Sequence, residues 1–385
     1  LEKLSGHHSI NSFTNKNAVL LWLVLSFYTQ SVQPIFMEKP IQPKPYPQEP
    51  ISRFETGKTN TAGEPEYQKG VIPANIRDFH YDTATGQAEW VQVPLAQRPD
   101  EVIHPYIPSD DIKSLIRLAQ ILQRPILIKG EPGSGKTQLA KAVAYEWYGD
   151  DFRYHFFDWY IKSTSKATDG IYTFDHIARL RDAQLQEKKV AAEYRAFGPM
   201  AKAFLVSTQE QPSILLIDEI DKADIDFPND LLLELDEKRF SIPETNESFA
   251  PGKNAAPLII ITSNDERELP EAFLRRCLFM YIKFPDDKQL KKIIRAHLPA
   301  LMEQHETFVE SAIQRFYTLR EATEKDAQDN KRVSTSELLD WLKAYNFDVL
   351  SENPAALSEK LDNLPYYYQA LLKTLASLRR EKEKK

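Results

Sequence analysis

Cysteine is nearly absent from this chain: Cys277 is the only one in 385 residues. An internal disulfide is therefore excluded, and a lone thiol fits a reducing cytoplasm. Long apolar runs are missing too. The longest, Ala18–Tyr28, falls short of the roughly 20 residues that cross a bilayer. Lys16 precedes it, but no small-residue cleavage site follows as a signal peptide would need. Nor is positive charge in excess. The chain has 49 basic and 56 acidic residues, a net charge of −7, and so no field that would draw it to nucleic acid or anionic lipid. No internal repeat is apparent.

What is present divides along the chain. The sequence opens on Leu1, and Met37 begins a proline-rich segment that reads as a natural start. Residues 1–36 are therefore expected to be leader or upstream-translated sequence without a functional fold. Residues 37–70, rich in proline and poor in aliphatics, read as an extended linker without a packed core. Two short alternating runs around Thr85-Gly86 predict a β-hairpin, and with it a small N-terminal module over residues 71–104.

From Tyr106 strand and helix signals alternate, which predicts an α/β domain with a parallel sheet over residues 105–285. Ser109 is placed to cap a helix over Asp110–Leu122. Strands are expected at Ile126–Ile128, Tyr154–Trp159, Ser213–Asp218, Pro257–Thr262 and Leu278–Phe284, as continuous apolar runs of strand length. Lys162–Tyr172 reads as a polar turn region, Phe174–Phe197 as a long charged helix and Met200–Val206 as a short apolar one. Beyond Pro285 strand signals stop. Helical periodicity over Asp287–Leu298, Thr307–Lys325, Ser334–Tyr345 and Tyr366–Lys382 predicts a separate all-helical domain over residues 286–385.

Three stretches carry chemistry. The first follows the strand Ile126–Ile128 and leads into a helical pattern: Gly130-Glu131-Pro132-Gly133-Ser134-Gly135-Lys136-Thr137. This is the spacing of a phosphate-binding loop in the strand–loop–helix setting it requires. Backbone N–H groups turn inward around phosphate oxygens, and the helix N-terminus behind them favours negative charge. Lys136 would reach the β- and γ-phosphates, and the Thr137 hydroxyl would ligate Mg²⁺. The second stretch is Ile214–Asp221, whose four apolar residues end in Asp218-Glu219. Two carboxylates then stand at the C-terminal edge of a buried strand, where open α/β sheets bind ligands. Asp218 would hold Mg²⁺ and Glu219 would polarise an attacking water. Asp221-Lys222-Ala223-Asp224 faintly matches a guanine-reading pattern, but it follows the Mg²⁺ strand too closely to reach a base. The third stretch runs from Leu258 through Thr262-Ser263-Asn264 to Arg275-Arg276. Asn264 could orient the lytic water or simply turn the chain. The two arginines could complement a helix dipole or stabilise transferred charge at a neighbouring subunit's nucleotide.

Taken in this order and followed by a helical domain, these stretches resemble the AAA+ ATPases, and more narrowly the MoxR-like branch. Tyr160–Phe197 matches that branch's insertion in length and place, and Lys238–Pro243 with Glu247–Gly252 match the arms of its hairpin before the third motif. The resemblance covers about residues 105–345. It implies an AAA+ P-loop core with a C-terminal helical lid, ATP and Mg²⁺ as ligands, and a homo-hexameric ring. It also implies remodelling of a protein client, in some members together with a von Willebrand factor A domain protein. Gly130 to Thr137 would be Walker A, Asp218 and Glu219 Walker B, and Asn264 the first sensor. Arg276 would be the arginine finger, with Arg275 replacing the family's Asp. The second sensor arginine is replaced by Ser336, and Arg332, four residues earlier, is the expected substitute. Ser334 with Glu337 could equally be only a helix cap. An ATP-driven nucleic-acid motor and a small-molecule phosphotransferase are the alternatives. The acidic balance argues against the first, and Asn264, the arginine pair and the lid are superfluous for the second.

Overall fold

The computed structural model describes residues 53–60, 63–72, 77–82, 87–92, 100–187, 189–250, 256–324, 333–352 and 367–383. The expectations for residues 1–52, for the turn at Thr85-Gly86 and for Arg332 lie outside them. In chain order the strands are β1 Glu55–Thr59, β2 Pro65–Tyr67, β3 Gly70–Ile72, β4 Arg77–Asp82, β5 Gln87–Gln92, β6 Glu101–Ile103, β7 Ile126–Gly130 and β8 Phe156–Tyr160. They continue with β9 Tyr172–Phe174, β10 Arg195–Phe197, β11 Ile214–Asp218, β12 Phe240–Ile242, β13 Glu247–Phe249, β14 Leu258–Ser263 and β15 Leu278–Ile282.

Five of these form one parallel sheet in the order β15-β7-β14-β11-β8. All five expected strands are in it. The registers make the period-2 rule visible. On β11, Ile214 and Leu216 join a core with Ile126, Ile128 and Ile260, under helices Asp110–Leu122 and Lys136–Tyr148. Leu215 and Ile217 point the other way, into a core with Leu127, Ile259, Ile261 and helix Pro199–Val206. Both faces are covered, which is why these strands read as unbroken apolar runs. Each such side chain contributes about 1.5–3 kcal/mol on burial. Ser109 caps its helix as expected, accepting from the Ile112 N–H.

Beyond Pro285 the described residues form helices and their connections, with no strand among them. Asp287–His297, Pro299–Gln304, Glu306–Glu324 and Thr335–Glu352 close around Trp341, Phe316 and Tyr345, all fully buried. The last expected helix is interrupted: Tyr368–Leu371 and Leu375–Glu383 are separate elements. Among the described residues no helix is long and apolar enough to cross a membrane.

Three expectations need correction. Phe174–Phe197 is not one helix. Only His176–Gln184 is α-helical, and β10 turns back antiparallel on β9. The reason is aromatic: Phe197 packs edge-on to Phe79, Tyr81 and Phe249, and Arg195 lies over Phe197 while pairing with Glu247. Charge spacing along the segment favoured a helix, but tertiary packing of the aromatic residues overrides it. Residues 53–70, expected as part of a solvated linker, instead carry β1 and β2 and the start of β3. Phe54 is 1% exposed and packs on Tyr145, while the Arg53 backbone N–H donates to Glu146. Within the region read as a turn, Ala167–Ile171 is a short helix. The β4/β5 hairpin is present, and its Trp90 packs on Tyr154 and Phe157 of the core domain.

Candidate active site

The sheet presents its C-terminal edge to the loop between β7 and helix Lys136–Tyr148. Gly133 and Gly135 both take positive φ, 73° and 87°, the left-handed turn that lets the loop curl. Lys136, buried at the start of that helix, donates to the carbonyls of Gly130 at 2.8 Å and Glu131 at 2.9 Å. Burial pushes its pKa down, and Asp221, Asp218, Glu219 and Glu131 oppose that shift. The ammonium thus sits in a field of carboxylates with only backbone oxygens as direct partners.

Across the sheet edge, the Thr137 hydroxyl donates toward both oxygens of Asp218, at 3.1 and 3.0 Å. Asp218 ends β11 and is buried. Thr262 on β14 donates to the same carboxylate at 2.5 Å and accepts the Glu219 N–H at 2.9 Å. The backbone of Glu219 is left-handed, φ 60° and ψ 50°, a conformation that costs a non-glycine residue energy and gathers at functional sites. It turns the carboxylate out of the strand, where Asn264 Nδ2 donates to it at 3.0 Å and Lys222 pairs with it at 2.5 Å. Asp221, 2% exposed, accepts the backbone N–H groups of Asn264 at 3.0 Å and Glu266 at 2.8 Å. It ties the end of β14 to the turn after β11.

The structure therefore brings Lys136, Thr137, Asp218, Glu219 and Asn264 to one edge. The Thr137 hydroxyl and the Asp218 carboxylate are hard oxygen donors side by side, which fits Mg²⁺. Among the described residues no cluster of three or more His, Cys, Asp or Glu forms a further metal site.

The arginine pair lies elsewhere. Arg275 pairs with Glu271, and Arg276 donates to Asp236 at 2.5 Å and to the Ala272 carbonyl at 2.9 Å. Neither reaches the edge described above. Arg124 holds their turn in place, donating to the Arg276 carbonyl at 3.1 Å and to that of Arg275. Ser334 and Glu337 form the reciprocal cap, with the Ser334 N–H on Glu337 at 2.9 Å and the Glu337 N–H on Ser334 at 3.4 Å. Sequence reasoning assigned no role to Thr262, Lys222, Arg124 or Arg320. Thr262 was visible as the polar end of an apolar run, but only its register beside Asp218 gives it one.

None of the curated proteins matches the chain. Among solved structures, one similar chain is a Cytophaga hutchinsonii ATCC 33406 protein provisionally described as an ATPase. It is 17% identical over 55% of this chain and 64% of its own, with a TM-score of 0.33. Another is NtrX from Brucella abortus, solved in complex with ADP, 13% identical over 53% of this chain and 44% of its own, with a TM-score of 0.34. The similar region spans less than two thirds of either protein. Residues 126–285 match the family described as "ATPase family associated with various cellular activities (AAA)", and this chain accordingly carries an AAA P-loop domain over its parallel sheet.

Proposed function

We propose that this chain binds and hydrolyses ATP, works as a ring-forming AAA+ ATPase of the MoxR-like kind, and remodels a partner protein. The observation that carries the hydrolytic part is the Glu219 carboxylate. It stands one residue beyond Asp218, turned outward by a left-handed backbone and held by Asn264 at 3.0 Å. A domain that only bound nucleotide would have no use for it.

Lys136 would exchange its two loop carbonyls for phosphate oxygens. Thr137 and Asp218 would hold Mg²⁺, which neutralises charge on the β- and γ-phosphates when bound. Glu219 would accept a proton from water as its oxygen bonds to the γ-phosphorus. The bond from that phosphorus to the bridging oxygen breaks, releasing ADP and phosphate. Asn264 would orient that water. Lys222 competes for Glu219 and must yield before the carboxylate can act.

Arg276 would act on the next subunit's nucleotide, with Arg275 as the alternative, since neither meets its own sheet edge. A head-to-tail interface that closes into a hexamer supplies such a contact at every site. The client, and any von Willebrand factor A domain partner, rests on the family resemblance alone.

Glu219→Gln should keep ATP binding and lose turnover, read by fluorescent-nucleotide titration and phosphate release. Arg276→Ala should lose turnover and regain part of it when mixed with Lys136→Ala. A mixture that stays inactive overturns supply in trans.

A further inference from the structure

The helical domain touches the phosphate loop through a buried cation that the hydrolytic machinery does not use. Arg320 lies on helix Glu306–Glu324 next to Leu319 of the helical core, and is 6% exposed. Its guanidinium stands 3.8 Å above the ring of Phe284, which follows the last sheet strand. It donates to the Val333 carbonyl at 2.7 Å and pairs with the carboxylate of Glu131 in the loop. Val333 leads directly into Ser334-Thr335-Ser336, where the lid meets the loop a second time. A Cβ on Gly133 would fall 2.6 Å from Ser334 Oγ and 2.8 Å from Ser336 Oγ. One side chain thus joins the end of the sheet, the lid and the loop.

We propose that Arg320 is a positioning residue for the nucleotide. Its pair with Glu131 fixes the lid against the phosphate loop and reports to the lid whether the loop is filled. This rests on reading the loop as a nucleotide cradle. The coupling runs through one residue: the Glu131 carboxylate holds Arg320, while its carbonyl accepts from Lys136 at 2.9 Å. Phosphate in the cradle draws Lys136 from that carbonyl and frees the Glu131 peptide to reorient. Parting a guanidinium this buried from its carboxylate carries a desolvation cost, and that cost couples the lid to Glu131. The planar fork also stacks on Phe284 while bonding at its edge, which an ammonium cannot do equally well.

The test uses the full chain, a fluorescent ADP analogue, and hydrogen exchange over helix Thr335–Glu352 with and without Mg-ADP. Arg320→Gln and Glu131→Gln should each weaken the analogue about 5- to 10-fold, the range of ordinary coupling between sites. The double variant should be no weaker than either single one, the mark of a shared interaction. Arg320→Lys should recover part of the loss. Nucleotide-induced protection of the helix should vanish in both single Gln variants. If Arg320→Gln fails to fold, Glu131→Gln in the more accessible loop decides the matter alone. Wild-type protection that persists in Glu131→Gln, or losses that multiply in the double variant, overturn the proposal while leaving the nucleotide site intact. A wild type that binds no ADP and behaves like Lys136→Ala overturns the reading of the site, and this proposal with it.

Discussion

The edge of the parallel sheet and the seam around the lid both keep charged and polar groups in order, by different means. At the edge, partners sit on neighbouring strands and meet through register: Thr262 on β14 reaches Asp218 on β11, and Asn264 just past β14 reaches Glu219 just past β11. At the seam, partners come from distant segments and meet only because helices dock. Glu64 pairs with Arg295, His104 stacks on His297 at 5.0 Å, Gln289 donates to the Ile107 carbonyl at 3.0 Å, and Arg320 pairs with Glu131. A sheet held by a ladder of backbone hydrogen bonds and covered on both faces suits fixed chemistry. A seam of individual side-chain contacts suits parts that move against each other.

That contrast breaks first at Lys136. Lys136→Ala should weaken nucleotide binding about 30- to 150-fold, the scale of a lost charge-assisted contact of about 2–3 kcal/mol, read by titration with a fluorescent analogue. Next comes Thr262→Val, which deprives Asp218 of a donor and the Glu219 N–H of its acceptor. Turnover should fall about 10- to 100-fold as the unmet groups shift the carboxylates, while ADP affinity changes little. Equal losses in binding and turnover would mean that Thr262 shapes the cradle instead. Asp221→Ala leaves two backbone N–H groups unmet, at about 1–3 kcal/mol each, and thermal melting should drop by several degrees.

The seam should show itself in pH. Burial first, then His104 and Lys343 nearby, push the His297 pKa from 6.5 down to about 4. The unfolded chain takes up a proton below about 6.5 that the folded one refuses until about 4. Stability is therefore full above that window and falls as pH drops through it. His297→Gln should flatten part of that slope in melting curves taken between pH 7 and 4.5. His155, stacked on Tyr148 at 4.0 Å and also lowered to about 4 by burial, and His104, lowered chiefly by burial, still contribute to it. The smallest effect belongs to Lys113→Ala, outside the seam: its ion pair with Asp110 is solvent-exposed, and such pairs are worth under about 1 kcal/mol.

The sheet and its edge were legible because their signals are local. A short apolar run ending in Asp218-Glu219, or leading toward Gly130, needs no knowledge of the remaining fold to be placed. The helical domain was legible for the same reason, through its 3.6-residue period. The segment from Phe174 to Phe197 was not, since its charges suit a helix and only contact with Phe79, Tyr81 and Phe249 makes its end a strand. Residues 53–70 misled through their sparse aliphatics and the proline-rich stretch before them, because two aromatic residues, Phe54 and Tyr67, carry the packing.

By itself the sequence determined where the glycine loop lies and which carboxylates end the strands, since loop spacing and strand ends are dictated by neighbours in the chain. Only tertiary structure decided which of them meet: that Thr262 links the Asp218 carboxylate to the Glu219 backbone, and that Arg276 faces Asp236 on its own chain. It also decided that a lid arginine far along the sequence grips the loop at Glu131. Such pairings depend on strand register and helix docking, and side chains forty or more residues apart leave no periodic trace of each other.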